Sequence, residues 1–158
     1  MNIKIALHKD DMAYMPVKAH PDDACYDLFA RCYEAPDALG DERESVYLAP
    51  GGRCLAKTGV FIEMEPGWEA LVRPRSGNSL KFGLTVLNTP GTIDAGYRNE
   101  VGVILHNAGQ RMLQLDKGMK IAQVAFRKIP EHGIVRISQE DFDADTDRNL
   151  NGFGSTGL

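Results

Sequence analysis

Two arginines stand close together after an apolar stretch, where they could bind an anion. The segment from Arg73 to Lys81 reads RPRSGNSLK. Arginine presents a planar fork of N–H donors that matches phosphate oxygens. The backbone amides of Ser76 and Gly77 could donate to the same anion at the start of a helix. A salt-bridged strand end before a loop accounts for these residues equally well.

A single carboxylate, Asp94, follows a turn signal that begins at Asn88. The stretch from Leu87 to Leu105 reads LNTPGTIDAGYRNEVGVIL and ends in an alternating strand. A hairpin that carries one acid beside an aromatic ring, here Tyr97, suits a small-molecule pocket. Asp and Gly are also ordinary turn residues, so this stretch taken alone favours an aspartate that closes a turn.

The end of the chain carries a third set of candidate residues. Arg148 precedes the run GFGSTG, which extends from Gly152 to Gly157 and contains Phe153. A cation, a flat ring and two hydroxyls suit a nucleotide, with the ring on the base and the polar groups on the phosphates. The spacing is not that of a P-loop, and no strand leads into the run. A frayed terminus would have the same composition.

Length and composition predict one domain of an ordinary globular protein. The chain has 158 residues, 43% of them hydrophobic and 25% charged, which is enough to bury a core. The net charge of −4 argues against a broad nucleic-acid-binding face but allows one anionic ligand at a local arginine cluster. We expect no membrane span and no signal peptide. Three cysteines without metal-ligand spacing indicate reduced thiols and a cytoplasmic location.

Short apolar runs separated by glycine and proline predict an all-β sandwich or barrel. The acidic, turn-rich stretch from Asp37 to Ser45 is interpreted as a surface loop. Helical turns are expected at Ser79–Phe82 and Asp141–Asp145. The predicted strands are Ile3–Leu7, Tyr26–Ala30, Arg53–Met64, Trp68–Arg73, the strand that ends at Leu105, Met112–Leu115, Ile121–Ile129 and Ile134–Ile137.

These segments resemble, in order, the five short motifs of the trimeric dUTPase family (deoxyuridine triphosphate nucleotidohydrolases). The matching segments are ACYDLFA from Ala24, RPRSG from Arg73, GTIDAGYR from Gly91, GMKIAQ from Gly118, and Arg148 with the GFGSTG run. Any one motif is modestly specific, whereas five in order leave little room for chance. Four asparagines depart from the apolar or glycine residues usual in the family: Asn78, Asn99, Asn149 and Asn151. Because asparagine tolerates left-handed backbone, we expect them to change the mobility of the tail more than the chemistry.

The resemblance implies a distorted jelly-roll or β-clip single domain over residues 1–142. A flexible, glycine-rich arm over residues 143–158 would close the active site, and a homotrimer would share its sites between subunits. The implied reaction is the hydrolysis of dUTP to dUMP and pyrophosphate, which keeps uracil out of DNA and supplies dUMP for dTMP synthesis. Asp94 would deprotonate a water for in-line attack on the α-phosphorus. Mg²⁺ would coordinate the triphosphate, and Asp27 would contact it through a water.

The same resemblance implies a role for each of two further groups of residues. The phosphates would be held by Arg75, Ser76, Gly77, Gln123, Arg148, Gly154, Ser155 and Thr156. Uracil and deoxyribose would be bound by Asn88, Gly91, Thr92, Ile93, Tyr97, Gly102 and Phe153. Backbone groups that pair with the uracil edge would reject cytosine, since its donor and acceptor are reversed there and buried groups would be left unpaired. Tyr97 would pack under the deoxyribose and leave a ribose hydroxyl without room or a partner.

Two alternatives share this resemblance. A dCTP deaminase needs a glutamate at the position of Ile104, whose side chain cannot transfer a proton. It also typically has a second serine where this chain has Gly77. A nucleotide-sensing regulatory protein is the other alternative, because fold does not determine function. The presence of Asp94 and Asp27 with the full fifth motif favours catalysis, and a partner would be sought at the Asp37–Ser45 loop.

Overall fold

The computed structural model describes residues 3–9, 14–142 and 145 of the chain. Those residues consist mainly of antiparallel strands with one short helix, which confirms the predicted all-β class. The strands are β1 Lys4–Leu7, β2 Tyr26–Phe29, β3 Cys32–Glu34, β4 Ser45–Leu48, β5 Arg53–Lys57, β6 Val60–Glu63, β7 Trp68–Arg73, β8 Leu84–Val86, β9 Gly91–Asp94, β10 Gly102–Asn107, β11 Leu113–Asp116 and β12 Lys120–Lys128, and the helix is α1 Ser76–Phe82.

Two four-stranded sheets carry most of the fold. Their strand orders are β3-β5-β10-β8 and β2-β12-β7-β9, and the pairs β1-β6 and β4-β11 complete the pairing within the described ranges. In β10, Val103 and Leu105 are buried while Gly102 and Ile104 are exposed, as expected when one face of a strand packs on a core. The buried side chains form one cluster drawn from both large sheets, including Leu28, Tyr33, Leu105 and Ile121.

The predicted strand from Arg53 to Met64 is divided in two. Thr58 and Gly59 separate β5 from β6, and Gly59 has a φ of 71°, a conformation that glycine adopts without steric cost. The Thr58 hydroxyl donates to the carbonyl of Val101 at 2.7 Å. The break therefore lets consecutive strands join two different sheets, β5 with β10 and β6 with β1.

The prediction of a strand at Ile134–Ile137 is wrong, since residues 131–138 have no regular structure. Ile134 is 95% exposed and Val135 80% exposed. A short stretch of β-branched apolar residues becomes a strand only when an edge pairs with its backbone. Among residues 3–9 and 14–142, no edge pairs with this stretch.

Two helical turns were predicted, and one can be compared in full. Helix α1 begins at Ser76 rather than at Ser79 and ends before Gly83, whose φ of 71° closes the last turn. Of the stretch Asp141–Asp145, Asp141 lies in a turn and residues 143–144 lie outside the described residues. In the part of the chain that the structure describes, no helix is long and apolar enough to cross a membrane.

Candidate functional site

Five of the predicted site residues line one cavity of about 340 Å³, here called the Arg75 pocket. They come from three separate parts of the sequence: Asp27, the run Arg75–Gly77, and Gln123. The strand order β2-β12-β7 brings these parts together. In register, Asp27 pairs with Gln123, and Gln123 pairs with Arg73 on β7. The pocket therefore lies where three strands align and where the chain leaves β7 to enter α1.

The Arg75 pocket is organised around a buried carboxylate. Asp27 is 8% exposed, and one oxygen accepts from Arg75 Nε at 2.8 Å while the other lies 2.9 Å from Lys120 Nζ. A buried carboxylate is tolerated when cations compensate it. The two cations more than compensate Asp27, and the terminal nitrogens of Arg75 can still donate to an anionic ligand, although Asp23 adds a second carboxylate to the lining. The sequence analysis assigned no role to Lys120, because its ion pair with Asp27 is visible only in the folded structure.

Side chains and backbone also fix the walls of this pocket. Gln123 Nε2 donates to the carbonyl of Pro74 at 2.9 Å, which holds the turn before α1 against β12. Asn78 Nδ2 donates to the carbonyl of Lys120 at 2.9 Å. The Asn78 departure from the family pattern is therefore a structural tie between α1 and β12. Ser76 and Gly77 are exposed at the start of the helix and face the cavity.

A second cavity of about 190 Å³, the Asp94 pocket, is built from β9, the turn that follows it and the start of β10. The prediction of a hairpin here is wrong, since β9 pairs with β7 in one sheet and β10 pairs with β5 and β8 in the other. It is lined by the predicted residues Thr92, Ile93, Asp94, Tyr97 and Gly102, together with Val101. Asp94 is exposed. Within the described residues, no hydrogen bond or ion pair engages its carboxylate. The group is consequently available to accept a proton from a water in the pocket.

Tyr97, in the turn after β9, is held by backbone groups. Its N–H donates to the carbonyl of Asp94 at 3.0 Å, and the Tyr97 hydroxyl donates to the carbonyl of Glu100 at 2.9 Å. Arg98 closes the turn by donating to the carbonyl of Ala95 at 2.5 Å. The Tyr97 ring remains 40% exposed, so one face is open to a ligand. Sequence reasoning assigned no role to Glu100, and no sequence signal marks it as the acceptor.

Two predicted glycines differ in their relation to the Asp94 pocket. Gly102 lines it, and a Cβ there would lie 2.9 Å from Leu55 Cδ1. Gly91 is buried, and a Cβ there would lie 3.3 Å from Asn88 Nδ2, so the Asn88 amide lies directly over the Gly91 backbone. The turn at Asn88 forms as predicted, but Asn88 and Gly91 are not among the residues that line the pocket.

The two pockets lie at opposite corners of one sheet and share no lining residue. Asp27 pairs through Gln123 with Arg73, whereas Asp94 pairs with Glu69 on the other side of β7. Strands lie about 4.8 Å apart and residues rise about 3.3 Å. Three strand spacings and four residues along β7 therefore separate Asp27 from Asp94 by roughly 20 Å. One copy of the chain does not bring the two predicted halves of the site together.

The described residues contain no group of three or more His, Cys, Asp or Glu side chains that could hold a metal ion by themselves. Two carboxylates, Asp23 and Asp27, line the Arg75 pocket, and Asp27 is paired with the cations of Arg75 and Lys120. This arrangement fits Mg²⁺, which is usually bound by one or two carboxylates together with substrate phosphates and waters.

Other predictions concern one strand residue and the end of the chain. Ile104 is 37% exposed on β10 and is apolar, so it supplies no acid or base for deamination. The predicted tail residues all lie outside the described residues: Arg148, Phe153, Gly154, Ser155 and Thr156.

Comparison with known proteins agrees with this geometry. A family model described as dUTPase matches residues 11–157. The chain is 45% identical over 155 residues to the deoxyuridine 5'-triphosphate nucleotidohydrolase of Clostridium tetani, covering 98% of this chain and 96% of that relative. A mutant dUTPase of Staphylococcus bacteriophage 80alpha, solved with dUpNHpp, has a TM-score of 0.80 at 25% identity and 99% coverage of both chains. A mutant dUTPase from phage phi11 of S. aureus, described with a structural Mg(II) ion, has a TM-score of 0.74 at 24% identity, covering 90% of this chain and 100% of that chain.

Proposed function

The chain belongs to the dUTPase family and hydrolyses dUTP, and we propose that the Arg75 pocket of one copy and the Asp94 pocket of another together form its active site. The observation that carries this proposal is the separation of roughly 20 Å between Asp27 and Asp94 across the sheet. A water activated by Asp94 must approach the phosphorus it attacks to within about 3–3.5 Å. The Arg75 guanidinium must contact the oxygens of the same triphosphate at about 3 Å. A second copy supplies the missing half, and a homotrimer with shared sites is the assembly that we propose.

Asp94 acts as the general base. Its exposed carboxylate takes a proton from a water, and the water oxygen forms a bond to the α-phosphorus of dUTP. The bond from that phosphorus to the bridging oxygen breaks in line with the attack, and pyrophosphate leaves. The products are dUMP and pyrophosphate.

The Arg75 pocket holds the phosphates. The bond from Arg75 Nε to Asp27 orients the guanidinium and keeps its terminal nitrogens for phosphate oxygens, which a planar fork matches in geometry. Ser76 and Gly77 add donors from the start of α1, and Gln123 lies across the pocket beside them. Preorganised positive charge of this kind stabilises phosphoryl transfer because little reorganisation is needed during the reaction.

Mg²⁺ is the metal that we propose for this site, with Asp27 as its carboxylate. Arg75 and Lys120 hold both Asp27 oxygens, so we expect Asp27 to contact the ion through a coordinated water. When bound, the ion neutralises charge on the triphosphate. Asp27 also fixes the orientation of the Arg75 guanidinium, whether or not the ion is bound.

The Asp94 pocket reads the base and the sugar. Asn88 and the backbone from Gly91 to Ile93 pair with the uracil edge, together with Gly102. The exposed face of Tyr97 packs under the deoxyribose. Backbone donors and acceptors are fixed in direction, so cytosine would leave them unpaired, and hydrogen-bond mismatches of this kind can reject an analogue by about 10⁴.

We propose that the arm over residues 143–158 closes the site over bound nucleotide. This proposal rests on the residue types of the arm. Arg148, Gly154, Ser155 and Thr156 bind the far phosphates and Phe153 covers the uracil. Truncation after Asp147 should lower turnover by orders of magnitude, without changing the melting temperature of the β domain. Full turnover by the truncated protein would contradict the proposal.

A cytoplasmic location fits the three thiols, all of which are free. Burial raises the pKa of Cys32 to about 12 and that of Cys54 to about 11, which makes both thiols unreactive. Free thiols are usual in a reducing compartment.

The first test measures pyrophosphate release from dUTP, dCTP, dTTP and UTP with Mg²⁺ present. We expect dUTP to be turned over far faster than the other three. Equal rates on all four would contradict the uracil assignment.

The second test mixes two inactive variants, Asp94→Asn and Arg75→Ala, by co-expression or by refolding together. If each site takes its Asp94 and its Arg75 from different copies, random mixing at equal amounts should restore about a quarter of the wild-type activity. Each variant incubated alone is the matched control. If the mixture stays inactive although an affinity tag on one variant co-purifies the other, both groups act in one copy and the shared-site proposal fails.

A further inference from the structure

The loop from Asp37 to Ser45 is anchored to the body of the protein by ion pairs. The Glu42 carboxylate accepts two hydrogen bonds from the Arg31 guanidinium, at 2.8 and 2.6 Å. The backbone of Arg43 pairs with that of Tyr33 in both directions, at 2.8 and 2.9 Å. This bidentate geometry fixes the orientation of Arg31 as well as its distance.

Arg31 continues this connection into the interior. It is 5% exposed, and its Nε lies 3.4 Å from an oxygen of Glu100. The same oxygen accepts from the backbone of Gly59 at 2.6 Å, while the other lies 3.0 Å from Lys57 Nζ. Glu100 is itself 7% exposed. Because a buried charge must be compensated by partners, the position of Glu100 depends on Arg31 and Lys57.

Glu100 is the residue whose carbonyl accepts the Tyr97 hydroxyl bond at 2.9 Å. Its own N–H is satisfied by the Asn99 side chain at 2.8 Å. The Asn99 departure from the family pattern therefore contributes to the same turn. A continuous series of polar contacts runs from Glu42 through Arg31 and Glu100 to Tyr97.

We propose that Glu42 and Arg31 are positioning residues for Tyr97, and that this loop contributes to the discrimination between deoxyribose and ribose. The proposal rests on the function proposed above for Tyr97. When the bidentate bonds to Glu42 are removed, the orientation of the Arg31 guanidinium is no longer fixed, its contact with Glu100 changes, and the Glu100 carbonyl and the Tyr97 ring shift with it. A displaced ring leaves space for a 2′-hydroxyl, so the enzyme loses preference for dUTP over UTP more than it loses turnover.

The primary measurement is the ratio of kcat/KM for dUTP to kcat/KM for UTP. We expect Glu42→Gln to lower this ratio by about tenfold, as is typical for coupling of a network to a site. The matched control is Asp41→Asn, which removes the exposed Arg43–Asp41 ion pair of 2.6 Å within the same loop and leaves the contact between Glu42 and Arg31 in place. That control should leave the ratio unchanged.

Tyr97→Phe separates this inference from the function on which it rests. If the network acts through the Tyr97 hydroxyl, adding Glu42→Gln to Tyr97→Phe should lower the ratio no further. If Tyr97→Phe lowers the ratio and Glu42→Gln does not, the positioning role is wrong while the Tyr97 assignment stands. If Tyr97→Phe leaves the ratio unchanged while Tyr97→Ala lowers it, the hydroxyl bond to Glu100 does not position the ring and the inference fails, whereas the ring assignment stands. If Tyr97→Ala also leaves the ratio unchanged, the Tyr97 assignment itself fails.

A purely structural role gives a different result. Glu42→Gln would then lower the melting temperature and reduce activity on dUTP and UTP equally, and the inference would be overturned. If Glu42→Gln does not fold, Glu42→Asp provides the same comparison, because it retains the charge while shortening the reach to Arg31. The Asp variant should give an intermediate ratio, and a wild-type ratio would count against the proposal.

Discussion

The Arg75 pocket and the Asp94 pocket lie on one sheet but are built by different means. The Arg75 pocket depends on long charged side chains from three strands, each held by another side chain or carbonyl. The Asp94 pocket depends on one continuous segment from β9 through the following turn to the start of β10, and its Tyr97 is held by backbone carbonyls. A flexible triphosphate is bound mainly by charge, which requires compensated cations. A flat base edge is read by groups of fixed direction, and backbone amides provide them without rotamer entropy.

Asp94→Asn should have the largest effect of any single change in either pocket. The amide cannot accept the proton from water, and loss of a general base costs about 10²–10⁴-fold in turnover. Binding of dUpNHpp, measured by calorimetry, should be nearly unchanged because the charge cluster around Arg75 remains. A variant that turns over dUTP at the wild-type rate would show that another group is the base.

Arg75→Lys tests the charge-based pocket and should have the next largest effect. Lysine keeps the charge but loses the planar fork and the Nε bond to Asp27. We expect kcat/KM for dUTP to fall by about 10–100-fold, which corresponds to the loss of one charge-assisted hydrogen bond. Arg73→Lys is the control, because Arg73 is exposed and pairs through its backbone with Gln123. If the two variants behave alike, the guanidinium geometry of Arg75 is unimportant.

Gly91→Ala tests the backbone-based pocket. The added methyl would lie 3.3 Å from Asn88 Nδ2 and displace that amide from the uracil edge. We expect a decrease of about 3–10-fold in kcat/KM for dUTP, since small displacements of binding groups are costly in a preorganised site. Gly96→Ala lies in the turn after β9, and a Cβ there would meet no described atom within 4 Å. An equal loss in both variants would indicate a general effect of alanine on this segment.

The smallest expected effect concerns the Glu42–Arg31 ion pair and the way its contribution to the melting temperature depends on pH. The hydrogen bond from Arg31 lowers the pKa of Glu42 from its ordinary value of 4.5. This contribution to stability is therefore present above pH 4.5 and is lost as pH falls through the folded-state pKa. The difference in melting temperature between wild type and Glu42→Gln should be largest near neutral pH and shrink in acid. A difference that stays constant down to pH 3 would show that the charge of Glu42 contributes nothing.

Much of the candidate site was readable from residue types and order. The motif segments identified Asp27, Arg75, Gln123 and Asp94, and each of them lines one of the two pockets. Lys120 and Glu100 could not be assigned in this way, because their roles depend on neighbours that are far away in sequence. The strand predicted at Ile134–Ile137 failed for a related reason. The stretch is rich in β-branched apolar residues, but pairing depends on an edge that a local pattern does not specify.

By itself the sequence determined the all-β class, the turn at Asn88 and the chemical type of each candidate group, because these depend on local periodicity and side-chain chemistry. The tertiary structure alone decided which groups meet. The insertion of β12 between β2 and β7 places Asp27 beside Arg75, and the same sheet holds Asp94 roughly 20 Å away. Strand pairing over long sequence separations is selected by burial of the whole core, so no single motif contains it.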